Sequence, residues 1–588
     1  MNHDANNDAN HDTQNDANKT GVTSNVDRID PVTLSVLWNR FLAVAEEMGS
    51  TLRSTAFSEA VREGDDFSTG IFDRHGRLIA QGNFTPGHTG AMPSVVRSVL
   101  EYFPAETLRP GDAVVANDSF IGSGHFPDIF MVTPVFEAER ILGYMVNIAH
   151  HVDVGGAAPG SQEVAGVTSA VQEGLRILPV RLIRNGEFEP DLLRMITANV
   201  RVPDKLVGDL KAQRNANHVG AQRFCALFAE YGHNVMDTVV EEIFARSETR
   251  MRAAIAAMPD GSYEFEDWMD DAGPGSPPVR VHVRLCIDGD DLEIDFSGSS
   301  DQVPAGINCY INYTTAYAAF AVKVLADALL PQNHGSARPI RVTARHGSFF
   351  NPHYPAPSGG RAACQIRIFE VVNGALAKIL PGKAMGAMAH WSNPNISGID
   401  SRTGESFLQY DLLFGGYGGL ASRDGIEAMS PVMNCSNIPV EILEAGNPLL
   451  FHRLQFIADS GGAGEFRGGC GLRKDVEIRT DEAVVTLLGD RHVNRPYGLF
   501  GGAPGKLART VLKRDGTARD LSSKETFALR RGDVLSYRLS GAGGYGPAAR
   551  RNLDSIEADL ADGFVTEAGA RDDFGVSIVN GQVQRSKD

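Results

Sequence analysis

The sequence predicts an α+β fold, a mixed α/β, multi-lobed architecture with a strand-rich, glycine-rich C-terminal half. Three observations support this prediction. Helical apolar spacing alternates with strand-like alternation along the chain, 63 glycines cluster in short runs, and 588 residues exceed one typical domain. The glycine runs have no fixed period, which argues against a repeat protein, and they predict tight turns between strands.

The first ordered element predicted is a long helix that begins at Asp30–Pro31, because aspartate is a good N-cap and proline fits the first helical turn. The segment "FSTGIFDRHGRLIAQ" (67–81) predicts a β-hairpin, and "GHTGAMPSVVRSVLEYF" predicts a loop leading into a helix. The regions predicted along the chain are a disordered tail (1–26), an α/β region with a metal site (27–189), a helical region (190–260), a mixed α/β region (261–400), a β-rich C-terminal region with a terminal helix (401–577) and a short tail (578–588).

Composition and charge narrow the class of protein. Hydrophobic residues at 42% and charged residues at 22% are typical of a soluble globular chain. The formal charge of −18, without a basic block, disfavours nucleic acid and anionic membrane surfaces as partners. There is no apolar run of the ~18 residues that span a bilayer and no signal peptide pattern, so we expect a cytoplasmic protein. The six cysteines are widely spaced, which predicts reduced thiols.

Two short motifs carry most of the chemistry: "GSGHFPD" (122–128) and "NIAHHVDVGG" (147–156). If "EAER" (137–140) is the turn between two strands, paired positions sum to about 277, and Asp128 lies opposite Ala149. Opposed side chains have Cβ atoms roughly 5 Å apart, within the span of one metal shell. A slip of one residue would exchange His150 for His151, so spacing alone leaves open which imidazole points inward.

Two histidines with one or two carboxylates suit Zn²⁺, Mn²⁺ or Fe²⁺. Asp65 and Asp66 stand just before a predicted strand and can supply a further carboxylate, and His88 in "TPGHTGAMP" is a candidate for substrate contact. The competing interpretation is a polar hydrogen-bonded cluster that holds no ion. The sequence has no phosphate-binding loop of a common type, no GxSxG elbow and no plausible setting for a nucleophilic cysteine.

The order of several motifs resembles the hydantoinase B/oxoprolinase family, from about residue 28 to 577. This family contains the B-type subunits of ATP-dependent hydantoinases, oxoprolinases and lactamases, together with subunits of acetone and acetophenone carboxylases. The motifs that carry the resemblance are "DDFSTGIFD", "HTGAMPSVV", "ANDSFIGSGHFPDIFMVTPVF", "AHHVDVGG", "QEGLRILPV", "NVRVPDKLVGDLKAQ", "DFSGSSDQVPAGIN", "DSGGAGEFRGGCGL" and "GAGGYG".

The resemblance implies specific roles. A partner A-type subunit would use ATP and Mg to phosphorylate the substrate, and this chain would hold a divalent metal (Zn, Mn or Fe) and complete the hydrolysis of a cyclic amide. The expected assembly is a hetero-oligomer, α2β2 or similar. "GSGHFPD" departs from the usual Gly-Gly-Thr-His-Leu-Pro-Asp but keeps the spacing of His and Asp. Carried over by motif, the metal ligands are Asp66, His125, Asp128 and His150, and the outer or acid–base groups are His151 and Asp153.

Two alternatives to this function stay open. One is a subunit of an ATP-dependent ketone carboxylase, in which the same activation step precedes attack on CO₂. The length of the chain slightly favours the hydrolase, because carboxylase subunits of this type tend to be longer or to need extra small subunits. The other alternative is a scaffold for the partner subunit with no chemistry of its own.

Overall fold

The computed structural model describes residues 29–430, 432–579 and 582–585, so the predicted tail over 1–26 lies outside the described residues. The helices are α1 (Pro31–Thr55), α2 (Glu59–Arg62), α3 (Pro86–Tyr102), α4 (Pro190–Thr197), α5 (Pro203–Tyr231), α6 (His233–Ala256), α7 (Ile311–Asp327), α8 (His334–Ala337), α9 (Ala362–Leu376), α10 (Val440–Gly446), α11 (Leu553–Asp562) and α12 (Glu567–Phe574). The strands are β1 (Phe67–Asp73), β2 (Leu78–Gln81), β3 (Ala113–Ala116), β4 (Asp128–Glu137), β5 (Arg140–His150), β6 (Val180–Arg184), β7 (Glu187–Phe188), β8 (Gly261–Met269), β9 (Val279–Asp288), β10 (Asp291–Asp295), β11 (Ile340–Thr343), β12 (Asn395–Ile399), β13 (Ser406–Tyr410), β14 (Leu449–Ile457), β15 (Gly471–Ile478), β16 (Glu482–Thr486), β17 (Arg509–Arg514), β18 (Thr517–Leu521), β19 (Thr526–Arg530), β20 (Val534–Arg538), β21 (Val576–Val579) and β22 (Gln582–Arg585).

The N-terminal half is built on an antiparallel sheet of seven strands in the order β2-β1-β5-β4-β3-β6-β7. Helices cover both faces, and neighbouring residues along a strand enter different cores. Ile71 and Met145 pack with residues of α1, α5 and α6, whereas Phe72 and Tyr144 pack with residues of α3. Because both faces are buried, β4 and β5 read as nearly continuous apolar runs.

The hairpin of β4 and β5 has the predicted turn but a different register at its open end. Glu137 pairs with Arg140, as a pairing sum of 277 requires. A bulge near the turn then shifts the register, so that Val135 pairs with Gly143 and Asp128 pairs with His150. The predicted pairing of Asp128 with Ala149 is therefore wrong by one residue, and the bulge is the physical reason.

Helix α3 begins at Pro86, so "GHTGAMP" forms its first turns and the predicted loop there is wrong. Two glycines explain this. A Cβ atom on Gly87 would overlap the ring of Tyr317, and a Cβ atom on Gly90 would overlap Ala316. The glycines therefore let α3 approach α7 closely, and this close packing holds His88 in the first turn of α3.

Three further sheets follow. The strand order is β11-β10-β9-β8 in the middle of the chain, and β13-β12-β16-β19 and β14-β15-β20-β17-β18 in the C-terminal half. The predicted α+β fold with a strand-rich C-terminal half is confirmed. The predicted terminal helix matches α11, but α12 and the hairpin of β21 and β22 come after it, so part of the predicted tail over 578–588 is a strand. Within the described ranges, no helix has the length and apolarity needed to cross a membrane, and the six cysteines carry free thiols.

The prediction of tight turns in the glycine runs is confirmed at Phe500–Gly501, where Gly502 donates to the carbonyl of Leu499 at 2.9 Å, but much of these runs is extended and packs backbone against backbone. Gly462 donates to the carbonyl of Ala542 at 2.7 Å, and Gly419 donates to the carbonyl of Gly543 at 2.9 Å. A Cβ atom on Gly541 would overlap the carbonyl oxygen of Ser460. Glycine is required here because no side chain fits between the segments.

This packing predicts the cost of one added methyl group. Gly541→Ala should lower the free energy of unfolding by about 1–3 kcal/mol, because the backbone of Ser460 must move. Urea denaturation of the whole chain measures the change. Gly446→Ala is the matched control, since nothing lies within 4 Å of its added Cβ atom. Equal stability of the two variants would contradict the proposed reason for the glycines.

Candidate metal centre

Asp128 is the centre of the site. It is fully buried at the start of β4, and its Oδ1 lies 2.9 Å from His125 Nε2 and 3.1 Å from His150 Nδ1. Its Oδ2 accepts hydrogen bonds from Ser123 Oγ and Arg361 Nη2. Candidate ligand atoms of His125, Asp128 and His150 all lie within 4.8 Å of one another, and no other such group of three occurs among residues 29–430, 432–579 and 582–585.

The tautomer of His125 can be assigned from its hydrogen bond. Its Nδ1 lies 2.9 Å from the carbonyl oxygen of Gly359, so Nδ1 carries the proton and Nε2 has a free lone pair. That lone pair faces the carboxylate of Asp128 at 2.9 Å but has no hydrogen-bond partner within the described structure. Two buried lone pairs repel at this distance unless a cation lies between them. The arrangement therefore fits a divalent metal.

His150 can also present a free imidazole lone pair to the carboxylate of Asp128. Its Nε2 lies 3.3 Å from Nε2 of Gln162, whose Oε1 has no partner in the described part of the chain. A half-turn of this amide exchanges its oxygen and nitrogen at almost no change in shape, and Oε1 would then accept the Nε2 proton of His150. Nδ1 would then present its lone pair to the carboxylate of Asp128.

The electrostatics of the site favour neutral imidazole and ionised carboxylate. Burial lowers the pKa of His125 to about 4, and the positive charge of Arg361 contributes. Burial opposes ionisation of Asp128, but His125, His88 and Arg361 outweigh it and hold the pKa of Asp128 well below its usual range. Neutral imidazole and carboxylate are the forms that bind a metal.

His125, Asp128 and His150 line a small cavity, and His88 and Asp66 line it too. His88 Nε2 lies between two carboxylates, 3.4 Å from Asp128 Oδ2 and 3.7 Å from Asp66 Oδ1. Asp66 Oδ2 accepts a hydrogen bond from the hydroxyl of Tyr410 at 3.0 Å. Asp66, predicted as a ligand, is thus near the triad of His125, Asp128 and His150 but is not one of its members. His88, predicted to contact substrate, has its Nδ1 buried without a partner among the described residues.

The structure does not bring the other two predicted residues, His151 and Asp153, into the cavity. His151 points to the opposite face of the sheet, where its Nε2 lies 3.1 Å from Gln213 Oε1 on α5. Asp153 is paired with Arg201 at 2.6 Å and accepts a hydrogen bond from the backbone of Gly155. Asp153 thus stabilises the backbone that follows β5, and His151 contacts α5. These contacts do not support the predicted acid–base role.

Several residues of the cavity were missed by sequence reasoning. Arg361 is the most important, because it is 3% exposed and neutralises Asp128 from 233 positions away. The pair of glycines before it in "SGGR" is a signal of close backbone approach, but it does not indicate which site the arginine enters. Further residues of the cavity wall that were missed are Thr85, Gln162, Tyr313, Ala362, Gln365, Trp391, Tyr410 and Met433.

Glu173 holds the backbone segment that positions His125. Its Oε1 accepts hydrogen bonds from the backbone N–H groups of Ser358 at 2.7 Å and Gly359 at 2.5 Å. The carbonyl of Gly359 in turn accepts a hydrogen bond from the N–H of His125 Nδ1. Burial raises the pKa of Glu173 to about 8, although the two backbone hydrogen bonds lower it. Glu173 therefore fixes the peptide that orients His125.

Comparison with known protein families gives the class of protein. The family model described as Hydantoinase B/oxoprolinase matches residues 30–548, and the chain belongs to this family. The resemblance inferred from the motifs is thereby confirmed.

Individual relatives cover nearly the whole chain. The chain is 29% identical to the caprolactamase beta subunit of Pseudomonas jessenii, over 95% of this chain and 98% of the relative. It is also 29% identical to the B-type subunit of a putative D-/L-hydantoinase from a Pseudomonas species, over 95% of this chain and 97% of the relative. It is 30% identical to 5-oxoprolinase 1 of Arabidopsis thaliana, over 88% of this chain but only 42% of that longer protein.

Solved structures show the same fold. The crystal structure of the ATP-dependent caprolactamase from Pseudomonas jessenii matches with a TM-score of 0.87 at 28% identity, over 94% of this chain and 97% of that one. A nucleotide-free acetone carboxylase structure matches with the same TM-score of 0.87 at 19% identity, over 95% of this chain and 82% of that one. The second likeness concerns the fold alone.

The buried carboxyl of Glu173 predicts a pH dependence of stability. Its pKa is about 8 in the folded chain, above the ordinary value of 4.5, so the folded state holds a proton that the unfolded state loses. Relative to Glu173→Gln, the wild type should lose stability as pH rises from about 4.5 towards 8, by up to about 1.4 kcal/mol per pH unit. Urea denaturation at several pH values measures this difference. If the free energy of unfolding changes with pH in the same way for the two proteins, the raised pKa of Glu173 is refuted.

Proposed function

We propose that this chain is the metal-dependent B-type subunit of an ATP-dependent cyclic amide hydrolase, acting on a hydantoin, lactam or oxoproline that a partner A-type subunit has phosphorylated. The observation that carries the proposal is the buried triad of His125, Asp128 and His150, with the free lone pair of His125 facing a carboxylate. The relatives named as a caprolactamase subunit, a hydantoinase subunit and an oxoprolinase support the substrate class.

The proposed ligands of a divalent ion (Zn, Mn or Fe) are His125, Asp128 and His150, since two imidazoles and a carboxylate are a donor set that all three ions accept. Such an ion, when bound, acts as a Lewis acid and lowers the pKa of water. His88 Nε2 lies near both Asp128 and Asp66, and the hydroxyl of Tyr410 holds Asp66 in place.

The residues of the chain then supply the remaining chemistry. An amide is hydrolysed slowly because nitrogen is a poor leaving group, and phosphorylation of its oxygen makes the carbon more electrophilic. His88 lies in the cavity with Nδ1 unpaired, so we assign to this atom the transfer of the proton from the attacking water to the departing nitrogen. The acyl phosphate that remains is cleaved by a second water to carboxylate and inorganic phosphate. Arg361 keeps Asp128 ionised, and the tight walls exclude bulk water.

The partner is proposed to contribute ATP and Mg. The sequence has no phosphate-binding loop of a common type, so the phosphorylating step is assigned to the A-type subunit, in an α2β2 or similar hetero-oligomer. Two relatives are named as subunits, one of a hydantoinase and one of a caprolactamase, and these names support a partner. A cytoplasmic location is part of the same proposal.

A ketone carboxylase subunit is the second candidate, favoured by the likeness to acetone carboxylase. That likeness rests on the fold alone at 19% identity, and this chain spans 82% of that one. The caprolactamase structure matches at 28% identity and is spanned over 97% of its length. These differences favour the hydrolase.

Exchange of neighbouring histidines tests the metal site. His150→Gln should lose at least about tenfold in affinity for Zn²⁺ or Mn²⁺, because one ligand is removed. His151→Gln is the matched control, since its side chain faces α5, and it should retain the metal. Metal content and isothermal titration measure both. Loss of metal from His151→Gln, with retention in His150→Gln, would mean that the register or the site is wrong.

Assay of the complex tests the reaction. Co-expressed with its A-type partner, the chain should support ATP hydrolysis that depends on a hydantoin, a lactam or 5-oxoproline and yields the ring-opened product. His125→Ala should reduce product formation by at least about a hundredfold, because the metal is lost. Turnover that instead requires bicarbonate and a ketone would favour the carboxylase. Full activity of His125→Ala would leave only a scaffold role.

A further inference from the structure

Three residues that line the cavity carry buried N–H groups that have no acceptor. They are Arg361 Nε, Gln365 Nε2 and Trp391 Nε1, for which no hydrogen-bond partner exists in the described structure. All three residues line the cavity and are only 3%, 1% and 2% exposed. Buried donors are usually paired in native proteins, and an acceptor that enters the cavity from outside the chain would pair these three.

These groups are fixed as donors. Arg361 Nη1 donates to the hydroxyl of Tyr313 at 2.6 Å, and this hydroxyl donates its single proton to Gln365 Oε1. The amide of Gln365 is therefore oriented with Nε2 left over. The indole of Trp391 can only donate. As the structure stands, these three N–H groups have no acceptor among the described residues.

The positive charge of Arg361 is balanced by Asp128, so the cavity favours an anion only once a cation is bound there. Arg361 carries the guanidinium group and forms the N-cap of α9, whose first residue Ala362 also lines the cavity. A helix N-terminus carries partial positive charge and attracts phosphate. Asp66 and Asp128 line the cavity too, so an anion is admitted when a divalent cation occupies the triad.

We infer that Arg361, Gln365 and Trp391 form an oxyanion subsite that receives the phosphoryl group of the activated substrate beside the metal. This inference rests on the proposed function and deepens it. A phosphoryl group presents three oxygens and up to two negative charges, which match three donors, one of them on a guanidinium, better than the two coplanar oxygens of a carboxylate do.

The size of the cavity sets a condition on this subsite. The free volume is about 10 Å³, which is the room needed by one water molecule or one ion. A phosphoryl group therefore enters only after a wall moves. Gln162 and Met433 come from segments without regular helix or strand, which shift more easily than β4, β5 or α9.

Binding of inorganic phosphate to the full-length, metal-loaded chain tests the inference by isothermal titration. Trp391→Phe and Gln365→Met each remove one donor and should weaken phosphate binding about tenfold or more, because a hydrogen bond to a charged group is lost. Trp38→Phe is the matched control. Its Nε1 is also buried and unpaired, but it lies on α1 in a different core, so phosphate affinity should not change.

Two results would overturn the inference while leaving the proposed function intact. One is a metal-loaded wild type that does not bind phosphate. The other is unchanged phosphate affinity in both Trp391→Phe and Gln365→Met. Acetate that binds as tightly as phosphate would likewise overturn the assignment to a phosphoryl group. A chain that retains no metal would instead refute the proposed function itself, and the metal content of every sample distinguishes these cases.

Discussion

The buried carboxylate of Asp128 is the constraint on which the rest of the structure depends. An ionised group without solvent is costly by several kcal/mol unless neighbours compensate it. Here the compensation comes from Ser123 in the preceding loop and from Arg361 at the start of α9, and a cation held together with His125 and with His150 on β5 would complete it. One charge therefore ties together three separate parts of the chain.

Arg361 can compensate the charge of Asp128 because buried ion pairs fix the position of α9. Arg367 on α9 pairs with Asp490 at 2.9 Å, and Glu370 pairs with Arg491 at 2.7 Å. These partners belong to the C-terminal half of the chain. Removal of one member of such a buried pair typically costs about 3–5 kcal/mol, so the network holds α9, and with it Arg361, in register with the N-terminal sheet.

Strand β5 explains why neighbouring histidines have different duties. Tyr144, Val146 and Ile148 face α3, and His150 continues that face towards His88. Asn147 faces α5 through Asn217, and His151 follows it to Gln213. The alternation of side chains along a strand thus separates a candidate ligand from a structural residue that is adjacent in sequence.

Local patterns in the sequence determined a large part of this protein. The cap at Asp30, the hairpin over 67–81 and the turn before Arg140 follow from short-range preferences, and the spacing of His125 and Asp128 marks a polar site near His150. Tertiary structure decided the rest. The bulge between β4 and β5 places His150, and not His151, opposite Asp128. Close packing of α3 against α7 places His88 in a helix. Helix α9 brings Arg361 to Asp128, which is 233 positions away in the sequence. Such contacts depend on the packing of distant segments, and spacing along one segment does not encode them.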